Sequence, residues 1–368
     1  MNPYKQLGLS EIINAAGKMT YLGSSSLGES VIEAMSEVAR GYVDMERLKK
    51  NVGERTAEAL GAEAACVTAC CAAGIAVSIA AVLTGENLYR IESLPKVTWK
   101  PSKIIVQKGH MVNFGANIEQ AIRMTGAEII EIGTANSTKP YHLEGALDDE
   151  IAGVVHVISH HTVQNGMLGL ENVIEIAHSH HVPVIVDAAA ETDLTYYTAS
   201  GADLVVFSGH KAIGGPTSGV IVGKEKLVRA CQMQDKGLAR MMKVGKENIV
   251  GFYFALEEYL KTDERQQVAS LEKLVKKLKE ALDGLNGIVT RISWDATRPI
   301  PRLQMIVEKS SPLTPRELIV RLEAGNPSIR TRNHLIDERI IQFDPREMKE
   351  DAIPVIKERL ENLFESKA

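Results

Sequence analysis

Four cysteines in 368 residues (Cys66, Cys70, Cys71 and Cys231) do not make a disulfide framework in a chain of this size. No apolar run approaches the length that spans a bilayer, so no membrane association is expected. There is no basic excess either: a formal net charge of −5 gives no general attraction to nucleic acid. The opening residues, MNPYKQLGLSEIINAAG, lack the charged-then-apolar layout of an export signal, and a cytoplasmic location is expected. No internal repeat or low-complexity stretch stands out. No G-x-G-x-x-G follows the first clear strand, which argues against a dinucleotide-binding oxidoreductase. Metal binding is not expected. Cys66 and Cys70 lie in an apolar AACVTAC context and read as small buried residues. His178 and His180-His181 end an amphipathic helix, where they suit the dipole and solvent.

What is present is ordinary for a soluble globular protein: 45% hydrophobic and 24% charged residues, in a chain long enough for a large domain plus a smaller one. Strand-like runs fall at 64–68, 103–107, 128–132, 154–159, 182–186, 204–207 and 219–222, with helical runs between many of them. That alternation predicts a mostly parallel sheet covered on both faces. Before it, an irregular segment leads to Ser30-Val31-Ile32-Glu33, which reads as a capping box, and a helix over 51–60 that Gly61 stops. After it come a charged helical connector, an amphipathic helix over 271–282, a few strands, and a helix capped at Thr314. The expected division is an amino-terminal segment and helix (1–45), a large domain (46–250) and a small α+β domain (251–368).

The chemistry concentrates in VPVIVDAAAE and ADLVVFSGHKAIGGPTSG. One apolar run delivers Asp187 at its carboxyl end; another opens into Ser208-Gly209-His210-Lys211 and a glycine-rich turn. A carboxylate and a lysine at the mouths of buried strands suit pyridoxal 5'-phosphate (PLP). That cofactor needs a lysine for its Schiff base and an acid to keep its pyridine nitrogen protonated. Its phosphate needs main-chain N–H groups at a helix start. The small residues Ala69, Cys70 and Cys71, between a strand and a helix over 72–83, supply that setting, and Ser208 and His210 can add donors. His110, after another strand, is a candidate for stacking on the ring or for contacting substrate.

Asp187, the SGHK sequence and the glycines after it resemble the aspartate aminotransferase-like α/β fold, fold type I of the PLP enzymes. That resemblance implies a mostly parallel seven-stranded sheet in a large domain and a small α+β carboxyl-terminal domain. More narrowly, INAAGKMTYLGSSSLGESVIEAMSEVARGYVDME, FSGHKAIGGPTSGVIVG and Phe343-Asp344-Pro345-Arg346 are similar to the selenocysteine synthase-like group, relatives of L-seryl-tRNA selenium transferase. Within it the likeness narrows to the ammonia-lyases of D-glucosaminate 6-phosphate. Gly17 to Thr20 and His210 point there, whereas the transferases carry an acidic residue before their lysine and generally an added RNA-binding portion.

The resemblance implies a PLP-dependent carbon–nitrogen lyase whose partner is a phosphorylated amino sugar acid. Lys211 would hold PLP and remove the C2 proton, with Asp187 on the ring nitrogen. The general acid for the C3 hydroxyl is open among His110, His160 and His161. Arg330 would meet the substrate carboxylate; Arg332 and Arg302 are further candidates for its phosphate. Lys18, Thr20, Tyr21 and His160 complete the expected substrate-binding set. The fold commonly builds its sites from two subunits, so a homo-oligomer, at least a dimer, is expected. The alternatives are a selenocysteine synthase-like transferase, another PLP-dependent amino-acid lyase, or a PLP-binding protein without turnover.

Overall fold

Valine- and isoleucine-rich runs, buried on both faces, build one seven-stranded sheet. The computed structural model describes residues 3–295 and 298–365. They form two compact units, one of residues 27–260 and one joining 1–26 to 261–368. The sheet belongs to the first. Its strands run, in spatial order, Ala64–Thr68, Gly219–Gly223, Leu204–Ser208, Val184–Asp187, Ile151–Val157, Lys103–Gln107 and Glu128–Ile132. Only Gly219–Gly223 is antiparallel to its neighbours.

Alternation along the central strands feeds two cores. Val154, Val186, Val205 and Phe207 face one layer, whereas Val155, Ile185, Leu204 and Val206 face the other. The second layer includes the helix Cys71–Thr84, whose residues are almost all buried. Its alanines and Gly74 let it lie directly on the sheet: a Cβ at Gly74 would come within 2.6 Å of Val206 Cγ1.

Helix ends follow local rules in most places. Asp44 caps the helix Met45–Leu60 by accepting from the Glu46 and Arg47 amides, and Gly61 ends it with φ +67°. The box expected at Ser30 does not form. The helix Glu29–Ala39 starts two residues earlier, after an extended Gly28, so Ser30 lies within the first turn and its hydroxyl donates to Glu258.

The second unit has a three-stranded antiparallel sheet, ordered Ile340–Phe343, Pro301–Val307 and Ile288–Trp294. The helices Glu264–Leu282 and Ala352–Glu365 pack their apolar stripes on it through Val275, Leu278, Ile356 and Leu360. Thr314 caps the helix Pro315–Ala324 in a full capping box with Glu317. The amino-terminal stretch expected to be irregular contains a strand, Ile12–Ala15, paired in parallel with Ser328–Thr331. The segment 1–45 thus divides, its first 26 residues joining the carboxyl-terminal unit.

Gly219 shows how tightly the sheet edge is built. A Cβ there would meet the Cys70 carbonyl carbon at 2.5 Å and the Cys71 nitrogen at 2.7 Å, both rigid backbone. Gly219→Ala should therefore destabilise the protein by about 1–3 kcal/mol through overpacking. Urea unfolding of the two proteins measures this, and an unchanged midpoint would refute the account.

Candidate cofactor and substrate site

Because six of the seven strands are parallel, their carboxyl ends lie on one edge of the sheet, where ligands bind in open α/β folds. Asp187 is the last residue of its strand, in register with Val157 on one side and Val206 on the other. Its Oδ1 accepts the Ala189 amide at 3.1 Å and the Cys71 thiol at 3.5 Å. Burial raises the Asp187 pKa; the Ala189 N–H, the charge of Lys211 and the Cys71 S–H each offset part of that rise. Burial also lifts the Cys71 thiol well above its ordinary value, with the Asp187 charge adding to it, so Cys71 stays a protonated donor.

Lys211 sits in a loop pinned at its base. The Gly209 amide donates to Ser218 O at 2.9 Å, and Gly215 closes back onto Gly209 O at 2.7 Å. A Cβ at Gly209 would lie 2.1 Å from Ser218 Oγ, so only glycine fits. Ser208 and His210 are both buried, with Ser208 Oγ 3.4 Å from His210 Nδ1. Beside them the turn Ala69-Cys70 opens the helix Cys71–Thr84. Cys70 caps it, its sulfur accepting the Ala73 amide at 3.4 Å, while the amides of Cys71 and Ala72 have no carbonyl in the preceding turn.

His110 is buried at the end of the Lys103–Gln107 strand. Its Nδ1 accepts the Val157 amide at 3.2 Å, which places the ring proton on Nε2. Burial lowers its pKa to about 4. Behind it stands His156, edge-on with centroids 4.6 Å apart, lowered to about 3 by burial and by His110. A ring held neutral and anchored in this way suits stacking better than proton donation at neutral pH. His160 and His161 are exposed in the loop after Ile151–Val157, with ring centroids 3.9 Å apart.

The remaining expected substrate residues lie in the second unit. Arg330 pairs with Glu323 at 2.9 Å, and Lys18 lies 3.8 Å from Glu347. Thr20 and Tyr21 belong to an exposed 3₁₀ turn, Thr20–Leu22. Two features have no local signature in the sequence: the Cys71 thiol aimed at Asp187, and His156 behind His110. Strand alternation offers the one sign of the latter, since a histidine inside the apolar run Ile151–Val157 has to be buried.

These residues fit PLP. Donors at a helix start suit its phosphate, a buried carboxylate of raised pKa suits a protonated ring nitrogen, and a neutral histidine suits its face.

The family profile for L-seryl-tRNA selenium transferase matches residues 12–292. The chain belongs to that family. It is 37% identical to D-glucosaminate-6-phosphate ammonia lyase from Salmonella typhimurium, over 100% of this chain and 99% of that one. A solved structure of D-glucosaminate-6-phosphate ammonia-lyase superposes with a TM-score of 0.93 at 37% identity, covering 100% of this chain and 99% of the other. A 5'-C-glycyluridine monooxygenase-decarboxylase from a Streptomyces species is 38% identical over 98% of this chain and 92% of its own. The fold is the aspartate aminotransferase-like one of the PLP enzymes. A PLP-bound structure of serine palmitoyltransferase shares it at 12% identity and a TM-score of 0.59, covering 97% and 88% of the two chains.

The low pKa of His110 makes stability depend on pH. Between about pH 6.5 and 4 the unfolded chain takes up a proton on this residue that the folded one refuses, so stability falls as pH falls. His110 alone should cost roughly 3 kcal/mol across that window. Urea unfolding of the apo-protein at pH 7 and pH 4.5 should show a smaller loss in His110→Asn than in the wild type. Equal losses would mean that this histidine is not the group responsible.

Proposed function

We propose that the protein is a PLP-dependent ammonia-lyase that converts D-glucosaminate 6-phosphate to 2-keto-3-deoxy-6-phosphogluconate and ammonia. One observation carries the reading: the end-to-end match, in sequence and in fold, to an enzyme of that name. The hydroxyl lost from C3 leaves as water, and water returns when the C2 imine is hydrolysed, so the net loss is ammonia alone.

The bound cofactor would supply an electron sink that makes the C2 proton acidic. The rest falls to residues of this chain. Lys211 would hold the cofactor and take the C2 proton. Asp187 keeps the ring nitrogen protonated, and the Cys71 thiol and Ala189 amide fix the carboxylate. The main chain at Ala69, Cys70 and Cys71, with Ser208 and His210, holds the phosphate of PLP. His110 would cover the ring, and His160 or His161 would protonate the departing hydroxyl. Arg330, Lys18, Thr20 and Tyr21 are the proposed substrate-binding residues. The enzyme works in the cytoplasm as a homo-oligomer; no described helix is long and apolar enough to cross a membrane.

The test is ammonia release from D-glucosaminate 6-phosphate with PLP present. Lys211→Ala should lose at least about 100-fold in rate. Asp187→Asn should retain cofactor, read from its visible absorption, while losing most turnover. Wild type that binds PLP and releases no ammonia would remove the substrate assignment. The near-equal identity to a monooxygenase-decarboxylase supports a second reading, oxidative decarboxylation of a glycyl nucleoside. Oxygen uptake with 5'-C-glycyluridine, in place of ammonia release from the sugar acid, would decide for it.

A further inference from the structure

The second unit holds a buried cluster of arginines that the chemistry above does not use. Asp344, fully buried, accepts Arg302 Nε and Arg346 Nη2, each at 2.9 Å. Asp295 lies 2.7 Å from Arg302 Nη1 and 3.8 Å from Arg298 Nε. Glu347 lies 3.8 Å from Lys18. Arg332 adjoins the group without a carboxylate at ion-pair distance among the described residues; its Nη1 reaches only the Ala16 carbonyl, at 3.5 Å.

Two donors in this cluster are uncommitted. Arg302 Nη2 and Arg332 Nε are both buried and have no hydrogen-bond partner. Leaving a buried guanidinium N–H unmade is costly. The strain shows in Arg332, whose pKa falls to about 10 through burial and the nearby charge of Arg302. Arg330 has its counter-charge in Glu323, although its Nε too is buried without a partner.

We propose that Arg332 and Arg302 form an anion site that takes a phosphate monoester. A phosphate monoester has several oxygens that can meet donors on two separate guanidinium groups, and its double negative charge suits a site built from arginines. Such a group is present on the substrate proposed above, and to that extent the inference rests on that reading. The segment is built for it. Gly17, at φ +82°, packs so closely that a Cβ would lie 2.8 Å from Asp344 Cγ and 2.9 Å from Arg346 Nη2. The turn that follows brings Lys18 to Glu347.

Calorimetric titration of the PLP-loaded protein with methyl phosphate, in phosphate-free buffer, tests the proposal. Wild type should bind methyl phosphate at least about tenfold more tightly than acetate. Arg332→Gln should weaken methyl phosphate by roughly tenfold or more, and Arg332→Lys, which keeps the charge, by less. Three results would overturn it: no binding by the wild type, equal affinity for acetate, or an Arg332→Gln protein that binds methyl phosphate unchanged. Because the readout is binding, it separates from the lyase reading. Methyl phosphate bound through Arg332 by a protein that releases no ammonia would keep this site and remove the substrate.

Discussion

Parallel pairing is the constraint on which the rest of the large unit depends. Parallel strands need crossovers, crossovers need helices on both faces, and the sheet is then buried on both sides. Such strands must be apolar throughout, as Val184–Asp187 and Leu204–Ser208 are up to their last residue. Polar chemistry is thereby excluded from the strand interiors and admitted where they end. Since six strands end on the same edge, Asp187, the Lys211 loop, His110 and the cap at Cys70 arrive there from segments far apart in the chain. The single antiparallel strand starts at that edge with Gly219, whose missing side chain leaves room for the Cys70-Cys71 turn.

The electrostatics of the edge follow from the same burial. His110, His156 and Cys71 are all driven toward their neutral forms by desolvation. Burial raises the Asp187 pKa as well, and there the charge of Lys211 offsets part of the rise. A cationic ring nitrogen placed against Asp187 gains from that low dielectric, because few other groups compete for the carboxylate. The two donors that Asp187 does have, the Ala189 amide and the Cys71 thiol, are weak or fixed, so they orient the carboxylate without neutralising it.

How much of this was legible follows from the range of the interactions. The seven strand runs, the Asp187 and Lys211 positions, Gly61 and the Thr314 box are local patterns, written in consecutive residues, and the sequence carries them openly. The strand Ile12–Ala15 is four residues long and half-exposed; what makes it a strand is its partner at Ser328–Thr331, near the other end of the chain. Ser30 had the right neighbours for a cap, but Gly28 sits against Glu258, and that tertiary contact moved the helix start. The direction of the Cys71 thiol and the Arg302–Asp344 hub depend on side chains brought from distant segments, and no spacing rule encodes them.

Sheet edge and arginine cluster carry different kinds of specificity. The edge is generic: a lysine, a buried carboxylate and a helix start would serve any amine substrate of the cofactor, and enzymes named for unlike reactions share the fold. Selectivity among amines therefore has to come from groups that meet the rest of the ligand. The carboxyl-terminal unit holds buried guanidinium groups of its own. Arg330 is paired with Glu323, yet its Nε, like Arg302 Nη2 and Arg332 Nε, is a buried donor that nothing in the described chain meets. A fold keeps such unmet donors only at a cost in stability. The motifs Gly17-Lys18 and Asp344-Pro345-Arg346, which looked unrelated in the sequence, interlock to hold them in place. An anion at the proposed site would offset that cost.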